Sequence, residues 1–157
     1  MNIFYLSNDV TKCAEDLCDK HVVKMATETV QIISTAYFLL TNTQGPYKPT
    51  HKHHPCVIWA TESLHNIQWL CNYAEALGKE YTKRYNKQHL AITKLQDWLS
   101  YTSLSYLPFS SVEWTNPPQC MPEKYRQLDT ILAYKDYYKH EKMKFATWKY
   151  STKPDWL

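Results

Sequence analysis

"DKHVVKMATETVQIISTAYFLL", residues 19–40, decides the fold class. Placed about 100° apart, as helix geometry requires, Cys18, Val22, Met25, Thr29, Ile32, Ala36 and Leu40 form one stripe. The segment therefore predicts a long amphipathic helix. Thr11 offers an N-cap upstream, with Glu15 and Asp16 in the early turns, so one helix is expected from about residue 11 to residue 40.

The rest of the chain extends this pattern. "TNTQGPYKP" breaks it at Gly45, Pro46 and Pro49. Pro55 opens a second helix at its first position. Trp59, Leu64, Ile67, Leu70, Cys71 and Ala74 recur at helical spacing, so this helix is expected to run past Gly78 to Tyr85. A third is expected over about 87–99. "SYLPFSSVEWTNPPQCMP", with four prolines, reads as a loop that crosses the surface or closes a pocket. Asp129 caps a last helix with the stripe Leu132, Tyr134, Tyr138, Phe145 and Trp148. The expectation is an all-α, compact single-domain helical bundle with long Pro-rich loops. It covers residues 1–157 and ends in a basic, aromatic arm over about 129–157.

Composition removes several function classes. The chain holds 2 Gly, which excludes glycine-rich phosphate loops of the Walker or Rossmann kind. Five Cys without a CxxC give neither a disulfide framework nor a zinc ribbon. No leader or membrane span is legible, so a reduced, cytoplasmic protein without a membrane partner is expected. Tyr and Trp number 13 and 6, enough either to fill a core or to stack on flat bases. The net charge of +3 is small, but lysines gather from Lys135 onward. That arm is either a solvated face or a surface for phosphates.

Two polar groups carry chemistry. On the opening helix His21 and Glu28 lie seven residues apart, nearly one above the other, at the edge of the apolar stripe. A carboxylate on such a rim can be partly desolvated and serve as a general acid or base. Alternatively, Lys24 and Glu28 form an ordinary i, i+4 pair. The second group is "PTHKHHPC", where His51, Lys52, His53 and His54 precede a helix start. Helix N-termini bind anions, so phosphate contact is one reading. A metal site using His51 and His53 with His21 or Glu28 is a second, and a surface cluster is a third. No HExxH and no further ligand cluster occurs; neither a metal nor another cofactor is expected.

These residues resemble a known family. "DKHVVKMATE" is similar to the first helix of the pyrimidine-dimer DNA glycosylase/AP lyases of the phage endonuclease V type, with Asp19, His21 and Glu28 on its Asp-x-His and catalytic Glu positions. The "NIFYL" leader, "EYTKRYNK" in the middle helix and "YYKHEKMKFATWKY" in the tail are also similar. The chain further resembles uncharacterised small phage proteins with "DKH…K…E", "THKxHP…W" and "PPQxMP". The resemblance implies action on a damaged or modified pyrimidine in DNA. The terminal amine attacks C1′ and forms an imine, a Glu stabilises the cation, and β-elimination cuts the strand. Amines of this kind titrate near about 8, far below Lys. Position 2 is Asn, before which Met is usually retained, so the amine belongs to Met1.

The expected site residues are therefore Glu28, Met1 and His21 for catalysis. Lys20, Lys24, His51, His53, His54, Trp59 and Arg84 are expected to bind substrate or phosphate. The alternative is a phage-type protein that binds, sequesters or processes a free nucleotide through His51–His54 with Lys20 and Lys24. The partner is DNA or a nucleotide ligand, and the sequence does not fix an oligomeric state.

Overall fold

A computed structural model describes all residues 1–157. The chain is all-α, as expected, with 55% of residues helical and no sheet. The helices are α1 (Val10–Asp16), α2 (Asp19–Thr41), α3 (Pro55–Glu62), α4 (Leu64–Tyr85), α5 (Leu90–Leu99) and α6 (Thr130–Tyr137). The chain winds on from α6 through a wider π turn, Tyr138–Lys142. No helix is long and apolar enough to cross a membrane.

The central helix is α2, which packs on α3, α4 and α5, while α1 lies against α4. Its apolar stripe is broad: Val22, Met25, Ala26, Val30, Ile32, Ile33 and Ala36 are all buried. Burying each large aliphatic side chain contributes about 1.5–3 kcal/mol, which fixes the helix's rotation and hence where its polar rim points. Asn42, in the left-handed region at φ 57°, ends α2.

Two long helices expected from the sequence are each split. The first breaks at Leu17 and Cys18, and its N-cap is Asp9, whose carboxylate accepts the Lys12 N–H, not Thr11. A continuous helix would spend the carbonyls of Glu15 and Leu17 on amides four residues on. Here the guanidinium of Arg84 takes both, at 2.9 and 2.8 Å. The second breaks at Ser63, which is extended and pairs with Ser111 of the Pro-rich loop. Ser63 then caps α4 through His65 N. Gly78 does sit inside α4, because a side chain there would meet Ile92 Cγ2 of α5 at 2.7 Å.

The other bounds need smaller corrections. The third helix starts at Leu90, with the His89 ring as its N-cap, rather than at Lys87. Asp129 caps α6 as expected. The face α6 buries is Thr130, Ala133, Tyr134 and Tyr138; Leu132 and Phe145 are exposed. The C-terminal arm is not free. Trp148 and Trp156 donate to the backbone carbonyl and carboxylate of Asp16, which ties the arm to α1.

The first residues form an extended strap that enters the core at Ile3 to Leu6. Phe4 stands in the left-handed region at φ 53°. For an aromatic residue this costs about 1–3 kcal/mol. Its surroundings hold it there: the ring stacks on His21 and Tyr137 and meets Tyr134 and Tyr138 edge-on.

Candidate active site at the N-terminus

The strap and α2 meet at Glu28. The amine of Met1 lies 3.9 Å from Glu28 Oε2, and the Asn2 N–H donates to the same oxygen at 3.2 Å. Lys24 Nζ stands 3.4 Å from Oε1. The Glu28 side chain is 14% exposed. Glu28 is thus a rim residue, as the helix projection places it, and its neighbours on Oε2 come from the start of the chain.

Asn2 holds the strap in register. Its Nδ2 donates to the Cys120 carbonyl at 2.8 Å, and its Oδ1 accepts the Ile3 N–H at 2.7 Å. The Tyr134 hydroxyl lies 2.9 Å from the same Oδ1 and 2.6 Å from the Pro118 carbonyl. The Pro-rich loop and α6 therefore close the far side of the amine.

On the next side stands His54, the N-cap of α3. Its Nδ1 accepts the Cys56 N–H at 3.1 Å. Burial holds its ring below the usual imidazole range, and the positive terminal amine and His51 act in the same direction. Behind it Cys56 Sγ lies 3.6 Å from Cys120 Sγ. Between these two thiols the first thiolate forms on Cys120, because Cys56 donates its hydrogen bond to it and the terminal amine lies nearby. Cys56, held as the donor and deeply buried, is pushed far upward. One ligating atom each of His54, Cys56 and Cys120 lies within 4.8 Å of the others. His54, Cys120 and Arg126 open onto a cleft of about 790 Å³.

Other expected residues are placed differently. His21 is buried. The Tyr138 hydroxyl accepts the Cys18 N–H at 2.9 Å and forms a second hydrogen bond with His21 Nδ1 at 2.8 Å. Burial, with Lys142, Lys24 and Lys20 nearby, lowers the pKa of His21 to about 3. It is a neutral ring that supports Phe4, and it has no free surface from which to meet a substrate.

Arg84 is not on the surface. Its side chain is fully buried, and it donates to Glu80 at 2.7 Å, Asp19 at 3.2 Å and the two carbonyls at the α1–α2 break. No donor pair is left for a phosphate. Trp59 is also buried, its indole N–H committed to Thr115. Its acidic partners explain why the sequence suggested a phosphate-binding role: Glu80 is one helical turn away, but Asp19 lies 65 residues back along the chain.

The histidine cluster divides. His51 and His53 are exposed, His51 in a left-handed turn at φ 51°, and only His54 turns inward. The metal set considered from the sequence does not assemble, since His21 is interior and these two face solvent. Lys20 and Lys24 are exposed. With Lys142 of the π turn they surround the outside of His21 and make this face of α2 positive.

Sequence reasoning missed Asn2, Cys120 and Tyr134. The repeated prolines of "NPPQCMP" were the available signal, since they mark a loop of fixed course. A family model described as pyrimidine dimer DNA glycosylase matches residues 1–93. That span includes Met1, Asn2, Glu28, His54 and Cys56 but stops short of Cys120. No curated protein and no solved structure matches the chain.

Proposed function

The chain belongs to the pyrimidine dimer DNA glycosylase family, and from that membership we propose that it is a DNA glycosylase/AP lyase acting on a damaged or modified pyrimidine. The nucleophile is the amine of Met1 and the assisting carboxylate is Glu28. The observation that carries this reading is the 3.9 Å approach of that amine to Glu28 Oε2.

The chemistry follows from this pair. The unprotonated amine attacks C1′, the bond from C1′ to the base breaks, and the base leaves with a proton. Loss of a proton from nitrogen and opening of the sugar ring give an imine at C1′. Glu28, negative and partly shielded from water, stabilises the positive charge that develops at C1′ and nitrogen. Removal of a C2′ proton then expels the 3′ oxygen with its phosphate, which cuts the strand. Such an enzyme must take its base out of the stack. Lys20, Lys24 and Lys142 supply positive charge on the same face for the phosphates. His21 acts as a positioning residue, holding Phe4 and so the strap that presents the amine.

The free-nucleotide reading draws less support, because His51, Lys52 and His53 face solvent and only His54 joins the site.

Borohydride trapping on abasic duplex DNA tests the proposal. A covalent adduct is expected, and peptide mapping is expected to find it on the first residue. Blocking the amine by acetylation should abolish it, and Glu28→Gln should lower it by about a hundredfold. An adduct on a lysine instead, or none at all, overturns the mechanism.

A further inference from the structure

We propose that His54, Cys56 and Cys120 form a site for a thiophilic divalent metal ion of the zinc class, beside the amine but separate from its chemistry. Three elements deliver the ligands. His54 ends the loop before α3, Cys56 lies in the first turn of α3, and Cys120 comes from the Pro-rich loop 64 residues further along the chain.

The geometry is close to what such an ion takes. With Zn–S near about 2.3 Å and Zn–N near about 2.0–2.1 Å, the edges of a tetrahedron run about 3.4–3.8 Å. The two sulfurs already stand 3.6 Å apart. The ring nitrogen of His54 lies within 4.8 Å of both, so a rotation of one side chain closes the triangle. By contrast a disulfide needs its sulfurs at about 2.0 Å, a much larger displacement. Two thiols and an imidazole select a borderline-soft ion; magnesium and calcium take oxygen ligands.

The surroundings suit three protein ligands and one open position. Cys56 is buried, whereas His54 and Cys120 line the cleft shared with Arg126 and Gln127. The fourth ligand therefore enters from the cleft, as water or another small oxygen ligand. Binding converts two thiols to thiolates and releases two protons, which leaves the ion with its two sulfurs electrically neutral. That neutrality keeps the loaded site from repelling the nearby positive amine or drawing it away from Glu28. Its mechanical effect falls on the same strap: Cys120 presents the carbonyl that holds Asn2 Nδ2. The ion clamps that loop to α3 and thereby steadies the N-terminus.

Cobalt titration of the full chain, freed of metal by a chelator and kept reduced, tests the site. One equivalent is expected to give sulfur-to-cobalt charge-transfer bands with the intense visible bands of a tetrahedral ion, and zinc should bleach them. Cys56→Ser and Cys120→Ser are each expected to lose the charge-transfer bands in part and the tight one-to-one stoichiometry. Cys71→Ser, on α4, should leave the spectrum unchanged. Zinc should also raise the melting temperature of the wild-type chain and not of Cys120→Ser. Absence of sulfur bands at one equivalent overturns the proposal. So does equal loss in Cys71→Ser, or a chain that binds no cobalt when reduced and loses two hydrogens in mass through a Cys56–Cys120 crosslink in air.

Discussion

Helix α2 carries two carboxylates nine residues apart, Asp19 and Glu28, and they live in opposite surroundings. Asp19 Oδ1 accepts from Arg84, and Oδ2 accepts from the Thr147 hydroxyl at 3.1 Å and the Lys149 N–H at 2.8 Å. Both oxygens are engaged, by three hydrogen bonds in all, and the partners come from α4 and the C-terminal arm. Glu28 has one hydrogen bond at 3.2 Å and two cations at 3.4 and 3.9 Å. The first carboxylate joins parts of the fold. The second keeps free acceptor capacity, which the proposed reaction would use for the charge that develops at C1′ and nitrogen. The difference lies in the partners and not in the residue type.

The largest expected effect comes from breaking the closed end. Arg84→Met leaves Asp19 and Glu80 buried without their cation, and the α1–α2 break loses its donors. A loss of about 3–5 kcal/mol is expected by denaturant unfolding. If Arg84→Met unfolds like wild type, the node around Asp19 is not what holds α1 to α2.

Glu28→Gln sharpens the contrast. Its unfolding free energy should stay within about 1 kcal/mol of wild type, since its partners are loose and partly exposed. The same variant is expected to lose most imine trapping. A large stability loss would make Glu28 a second Asp19.

The pH dependence of stability separates the two ends again. The unfolded His21 takes a proton near 6.5, and the folded ring only at about 3. The unfolded chain therefore binds the extra proton between these values. Stability from this residue is complete above pH 6.5 and declines as pH falls toward 3, by up to about 1.4 kcal/mol per pH unit. His21→Phe should flatten that slope in chemical unfolding from pH 7 to 4. An unchanged slope would place the titration elsewhere.

The smallest effect belongs to Lys24→Ala. Stability should change by no more than a few tenths of a kcal/mol, since only an exposed i, i+4 pair is lost. The slope of log binding constant against log salt for duplex DNA should become shallower by about 0.9. An unaltered slope removes Lys24 from the DNA-facing surface.

What the sequence made legible follows the range of the interactions. The stripe of α2, the Pro55 start of α3 and the Asp129 cap of α6 are local, and each could be read. The breaks at Leu17–Cys18 and Ser63 could not, because Arg84 and Ser111 impose them from far along the chain. The same holds at the site. Glu28 and His54 stood out by type and spacing. Cys120 and Tyr134 reach the N-terminus across 118 and 132 residues, and no periodicity spans that distance. Arg84 was misread for the converse reason, since a cation with distant buried partners looks like a phosphate-binding one in sequence.

Two successive backbone nitrogens, those of Met1 and Asn2, face Glu28 Oε2 at 3.9 and 3.2 Å. On the proposed mechanism, a chain trimmed of its first residue would still present an amine to this carboxylate. The nitrogen of Asn2 would become the terminal amine, already beside the carboxylate and with its side chain anchored to Cys120. The strap thus sets two successive nitrogens at one carboxylate, either of which could serve as the terminal amine.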